Sequence, residues 1–133
     1  MSAQSPPSRN GVGWTTMIFL LEDDYDLLTV LSDVIKRGTG REVLGLRTLD
    51  ELRDRRQEAL RCRLGILDVN LGPGQPSGLD AYAWLRAENY TGRIAFLTGH
   101  ATTHPMVARA QQMGQAEVLR KPLDMRQLIE LVG

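Results

Sequence analysis

Cysteine is nearly absent from this chain, Cys62 being the sole example. That excludes an intrachain disulfide and leaves redox chemistry unsupported, so Cys62 reads as a small apolar filler. Aromatic residues make up only 5%, and Trp14 and Trp84 read as packing or interface side chains rather than as cofactor-stacking ones. Net charge is missing too. Sixteen Lys and Arg balance sixteen Asp and Glu, which argues against direct nucleic-acid binding driven by bulk charge. No apolar run approaches the ~20 residues of a membrane span. The opening "MSAQSPPSRNGVGWTT" has neither the apolar core nor the small-residue cleavage site of a signal peptide. It reads as a flexible tail over residues 1–16 ahead of one domain over 17–133, with a cytoplasmic location as the default.

What is present is a 42% hydrophobic, 24% charged composition over 133 residues, enough for a single globular core. Its charges are unevenly spread. Residues 22–33 hold five acids and no base, whereas residues 36–63 hold nine Lys or Arg against five acids. The second stretch reads as a solvated helix face. The first is harder to place. "MIFLL" (17–21) runs straight into Glu22-Asp23-Asp24 and Asp26, and clustered carboxylates beside a core repel one another and resist desolvation.

Apolar runs alternate with helical patterns along the chain. "MIFLL" precedes a helical stripe of Leu27, Leu28, Leu31, Val34 and Ile35, closed by Gly38-Thr39-Gly40. "EVLGL" (42–46) is a weaker strand, followed by a capping-box spacing at Thr48 to Glu51 and an Arg-rich helix to about Leu60. "LGIL" (64–67) ends in Asp68, and a Gly/Pro loop leads to a helix opened by Ser77 or Gly78. "RIAFL" (93–97) ends in Thr98; Pro105 and Gly114 suit a helix start and end. "AEVL" (116–119) ends in Arg120-Lys121-Pro122, and a second capping box from Asp124 to Gln127 opens the last helix. The order is (βα)5, and continuous apolar strands between helices imply a parallel sheet covered on both faces, a doubly wound α/β fold.

Ligands of such sheets bind outside the carboxyl ends of the strands. Those ends here offer Glu22 and Asp23, then Asp68, Thr98 and Lys121. Carboxylates suit a hard divalent cation such as Mg²⁺, and a hydroxyl with a lysine suits phosphoryl oxygens. A metal ion among the acids would supply the positive charge that residues 22–33 lack. Taken singly, each feature has a plainer reading: Asp23 and Asp24 as helix caps, Asp68 as a loop acid, Thr98 as a strand end, Lys121 as a surface lysine. Asp24 and Asp26 read as cap and surface residues in either case. His100 and His104 read as loop residues, since Pro105 starts the helix after them, with His100 near enough to Thr98 to touch a phosphoryl group.

Glu22-Asp23, Asp68, Thr98-Gly99 and Lys121-Pro122, in this order and βα context, resemble the response-regulator receiver domain of two-component signalling. The resemblance runs from Met17 to Val132. It implies a flavodoxin-like sheet of strand order 2-1-3-4-5, with Asp68 as phosphoacceptor from a sensor histidine kinase or a histidine phosphotransfer protein. It implies Mg²⁺ held by Asp23, Asp68 and the main-chain carbonyl of Asn70, with Glu22 acting mostly through water. Thr98 and the amide of Gly99 would contact the phosphoryl group and Lys121 would pair with it. The protein would be a signalling switch, not an enzyme on other substrates; no membrane partner is implied, and a homodimer is compatible. The alternatives are a haloacid-dehalogenase-like phosphohydrolase, whose second acid is missing from Asp68-Val69-Asn70, and a pseudo-receiver that is never phosphorylated. Two departures from the receiver pattern stand out. The loop "NLGPGQPSG" is longer than usual, with Ser77 before Gly78 in place of an acid or Asn. Val118 stands where many receivers carry an aromatic switch residue.

Overall fold

A computed structural model describes residues 13–71, 74–99 and 116–133, together with Pro105, Ala108, Gln112 and Gly114. Its elements are β1 (Ile18–Leu21), α1 (Tyr25–Thr39), β2 (Val43–Leu46), α2 (Leu49–Asp54), α3 (Arg56–Leu60), β3 (Leu64–Asp68), α4 (Gly78–Ala87), β4 (Arg93–Thr98), β5 (Glu117–Arg120) and α5 (Met125–Val132). Between β4 and β5, Pro105, Ala108 and Gln112 lie on helical backbone and Gly114 has φ +70°. His100 and His104 lie outside the described residues.

All four strand pairings are parallel and the order is β2-β1-β3-β4-β5. Because β1, β3 and most of β4 are buried on both faces, they read as unbroken apolar runs, and their alternating residues feed two separate cores. Phe19, Leu21, Leu67 and Phe96 face a cluster completed by Leu49 and Leu52 of α2, Ala59 of α3, and Tyr82 and Leu85 of α4. Ile18, Leu20, Ile66, Ala95 and Leu97 face the other, completed by Leu28, Leu31 and Ile35 of α1 and Leu128, Leu131 and Val132 of α5.

Local chemistry sets the helix starts. Asp24 caps α1 by accepting from the N–H groups of Asp26 and Leu27. Ser77 caps α4 in a full capping box with Asp80. Asp124 caps α5. At α2, Thr48 accepts from Glu51 N–H, but the Glu51 carboxylate reaches back to the N–H of Arg47, one residue before the cap. The Arg-rich helix is not continuous: the chain leaves helical geometry at Arg55 (φ −106°, ψ 28°), which divides it into α2 and α3. Residues 53–58 are all polar and exposed apart from the ends they join, so no packed side chain holds that turn straight.

Packing also reaches back before Met17. Thr15 N–H bonds the Arg61 carbonyl at 2.9 Å and Thr15 bridges Cys62. Trp14 meets the Tyr90 ring edge-on at 6.4 Å, and the Tyr90 hydroxyl donates to the Cys62 carbonyl at 2.7 Å. Cys62 is fully buried, and burial pushes its thiol up to about 12. It is a filler. The filled corner lies at the amino ends of the strands, away from the acids.

Candidate functional site

Parallel strands of one sheet all end on one edge, so β1, β3, β4 and β5 deliver Glu22, Asp68, Thr98 and Lys121 to one open cleft of about 330 Å³. Asp23, Asn70 and Gly99 line it as well. The acids, Asn70, Thr98, Gly99 and Lys121 expected from the sequence are thus brought to this cleft.

Burial separates the acids by role. Glu22 and Asp68 are 1% and 3% exposed, whereas Asp23 is half-buried. The Lys121 ammonium serves both buried carboxylates, 2.9 Å from Asp68 Oδ2 and 3.3 Å from Glu22 Oε1. Asp68 Oδ1 accepts from the N–H of Asn70 and Glu22 Oε2 from the N–H of Asp24, each at 3.1 Å. Burial pushes the Glu22 carboxyl up to about 7; the Asp24 N–H and the Lys121 charge pull against that, and Asp68 reinforces it through a hydrogen bond and its charge. Burial alone would lower the Lys121 ammonium, but its hydrogen bond to Asp68 and the charges of Asp68 and Glu22 outweigh this, and the net shift is upward.

The Asp23 side chain is different. It has no hydrogen bond or ion pair among the described residues, and only its main-chain carbonyl is held, by Arg47 Nε at 3.2 Å. One oxygen each of Glu22, Asp23 and Asp68 lie within 4.8 Å of one another. Three carboxylates against a single ammonium leave an excess of hard oxygen donors. That set suits a divalent cation of the Mg²⁺ kind.

Glu22 also touches Lys121 directly. Among the described residues, a Cβ on Gly99 would meet only Lys121 Cδ, at 4.0 Å, and none of them demands glycine there. Glycine is demanded elsewhere, at Gly78, where a Cβ would fall 2.1 Å from the Asp68 carbonyl oxygen. Sequence reasoning missed Arg47, because a lone arginine after the second apolar run carries no motif.

The comparisons agree with this fold. The model of the response regulator receiver domain matches residues 18–133, and the chain belongs to that family. Among solved structures it resembles a response regulator receiver protein from Pseudomonas putida, at 25% identity, covering 87% of this chain and 93% of that one with a TM-score of 0.72. A receiver domain protein from Clostridium thermocellum is 24% identical over 87% and 90%, with a TM-score of 0.73. The receiver domain of NtrX from Brucella abortus is 20% identical over 86% and 92%, with a TM-score of 0.72. No curated protein matches the sequence.

Proposed function

We propose that this receiver domain accepts a phosphoryl group on Asp68 from a phosphohistidine of a sensor kinase or phosphotransfer protein, in the cytoplasm, and signals by the resulting change of conformation. The observation that carries the proposal is the placement of Asp68. Its carboxylate is buried at the end of β3, 2.9 Å from the Lys121 ammonium and within 4.8 Å of two further acids. An idle charge in such a place is costly, whereas a nucleophile needs that positioning.

In the step envisaged, an Asp68 carboxylate oxygen attacks phosphorus, a P–O bond forms, and the P–N bond breaks; the electron pair returns to the ring nitrogen, and the ring, already protonated on its other nitrogen, leaves as neutral imidazole. Lys121 pairs with the phosphoryl oxygens, and the Thr98 hydroxyl and Gly99 amide donate to them. Asp23, Asp68 and the main-chain carbonyl of Asn70 would hold Mg²⁺, with Glu22 beside them. When bound, the ion neutralises charge spreading over the transferring group. Lys121 is ready for this exchange, since its ammonium already sits on the acceptor carboxylate.

Incubation with acetyl phosphate and Mg²⁺ is expected to add one phosphoryl mass that hydroxylamine removes, and Asp68→Asn to abolish it. Equal labelling of the variant would refute the assignment.

A further inference from the structure

We infer that Arg47 is a positioning residue for the Asp23 carboxylate, acting through the Asp23 main chain; this rests on the reading of Asp23 as a metal ligand. Three contacts carry it. Arg47 Nε donates to the Asp23 carbonyl at 3.2 Å across 24 residues of chain. The Arg47 guanidinium carbon lies 5.9 Å from the centre of the Tyr25 ring, just beyond Asp24. The Arg47 N–H is itself held by Glu51 Oε1 at 2.8 Å, so the arginine is anchored at the head of α2.

The β1–α1 turn is therefore gripped from two sides. On the sheet's interior, Lys121 and the Asp24 N–H fix Glu22. On the β2 side, Arg47 holds the Asp23 carbonyl and its guanidinium lies over the exposed Tyr25 ring. The Asp23 side chain has no partner among the described residues that could aim it. Its direction follows from its backbone, and the peptide that follows it is held at the N–H by Glu22 and at the carbonyl by Arg47.

Electrostatics and positioning predict opposite signs here. A guanidinium near a divalent cation repels it, so deleting the charge alone would tighten Mg²⁺ binding. Loss of the carbonyl clamp would loosen the carboxylate and weaken binding, as removal of groups that orient metal ligands does. Glutamine separates the two, because its amide nitrogen stands the same number of bonds from the backbone as arginine Nε. It keeps the donor and drops the charge.

Isothermal titration with Mg²⁺ alone, on the full chain, reads the difference. Arg47→Ala is expected to weaken binding about three- to ten-fold, at or below the roughly ten- to hundred-fold typical of groups that orient metal ligands, because Arg47 is exposed. Arg47→Gln is expected to bind as well as wild type or more tightly. Urea unfolding without Mg²⁺ accompanies both. An Ala variant that loses apo stability but keeps its affinity overturns the inference, as does a Gln variant as weak as the Ala variant. Wild type that binds Mg²⁺ and loses it in Asp23→Ala, with Arg47→Ala unaffected, overturns this inference alone. Wild type that binds no Mg²⁺ overturns the metal reading as well.

Discussion

Lys121 holds two carboxylates that water can hardly reach, while its own side chain is 28% exposed. Removing one partner of a buried ion pair costs about 3–5 kcal/mol, because a bare charge is left behind. Partial exposure of the lysine reduces that figure. Lys121→Ala is expected to lower apo stability by about 1–3 kcal/mol in urea unfolding at neutral pH. Added Mg²⁺ should narrow the gap, since a cation replaces the lost charge. Asp23→Ala should behave in the opposite way. Its carboxylate makes no hydrogen bond among the described residues, and its deletion relieves repulsion from Glu22 and Asp68. Apo stability is expected to stay level or rise by up to about 1 kcal/mol, while Mg²⁺ affinity and phosphorylation fall. A marked loss of apo stability in Asp23→Ala would show that Asp23 is structural.

At the scale of elements, α4 starts directly against the main chain of the acceptor strand. Gly78 N–H donates to the Val69 carbonyl at 3.1 Å, and the helix start presses on the Asp68 main chain so tightly that a Cβ has no room. The obstacle is backbone, which cannot swing aside. Gly78→Ala is expected to cost about 1–3 kcal/mol or more in urea unfolding, and to slow Asp68 labelling as α4 lifts from β3. Gly99→Ala, whose Cβ would meet no atom of the described residues closer than Lys121 Cδ at 4.0 Å, should unfold within about 0.5 kcal/mol of wild type. Equal stability of both variants would contradict this account of the α4 contact. Sequence alone had already suggested a helix opening at Ser77 or Gly78, because Ser is a good cap. It could not show that Gly78 is there for the Asp68 carbonyl. Strands and site were legible for one reason: buried parallel strands read as apolar runs, and a chemical residue ending each run must lie on the common edge. Arg47 was hidden because its contact spans 24 residues through a flexible side chain. The docking of Trp14 on Tyr90 and the break at Arg55 were hidden too, since neither follows a periodic pattern.

Over the whole molecule, the question is where phosphorylation would be felt. Val118 pairs with Phe96 in the sheet and is half-buried against the cluster that also holds Tyr82. The family resemblance implies an aromatic at this position that swings as the threonine moves toward the phosphoryl group. Valine is too short for that, and its χ1 is stiff. A ligand shifts an equilibrium only by its differential affinity for the two states. If Val118 is alike in both, β5 has little to report. Change should then concentrate in the two loops expected after the third and fourth strands, "LGPGQPSG" (71–78) and "GHATTH" (99–104). Gly74, at φ +74°, already takes a conformation that other residues avoid, and glycine lets such a loop rearrange at low cost. Hydrogen exchange with and without beryllofluoride and Mg²⁺ is expected to show altered protection in both loops and little at residues 116–120. Changes centred on 116–120 with silent loops would mean that β5 transmits the signal despite Val118.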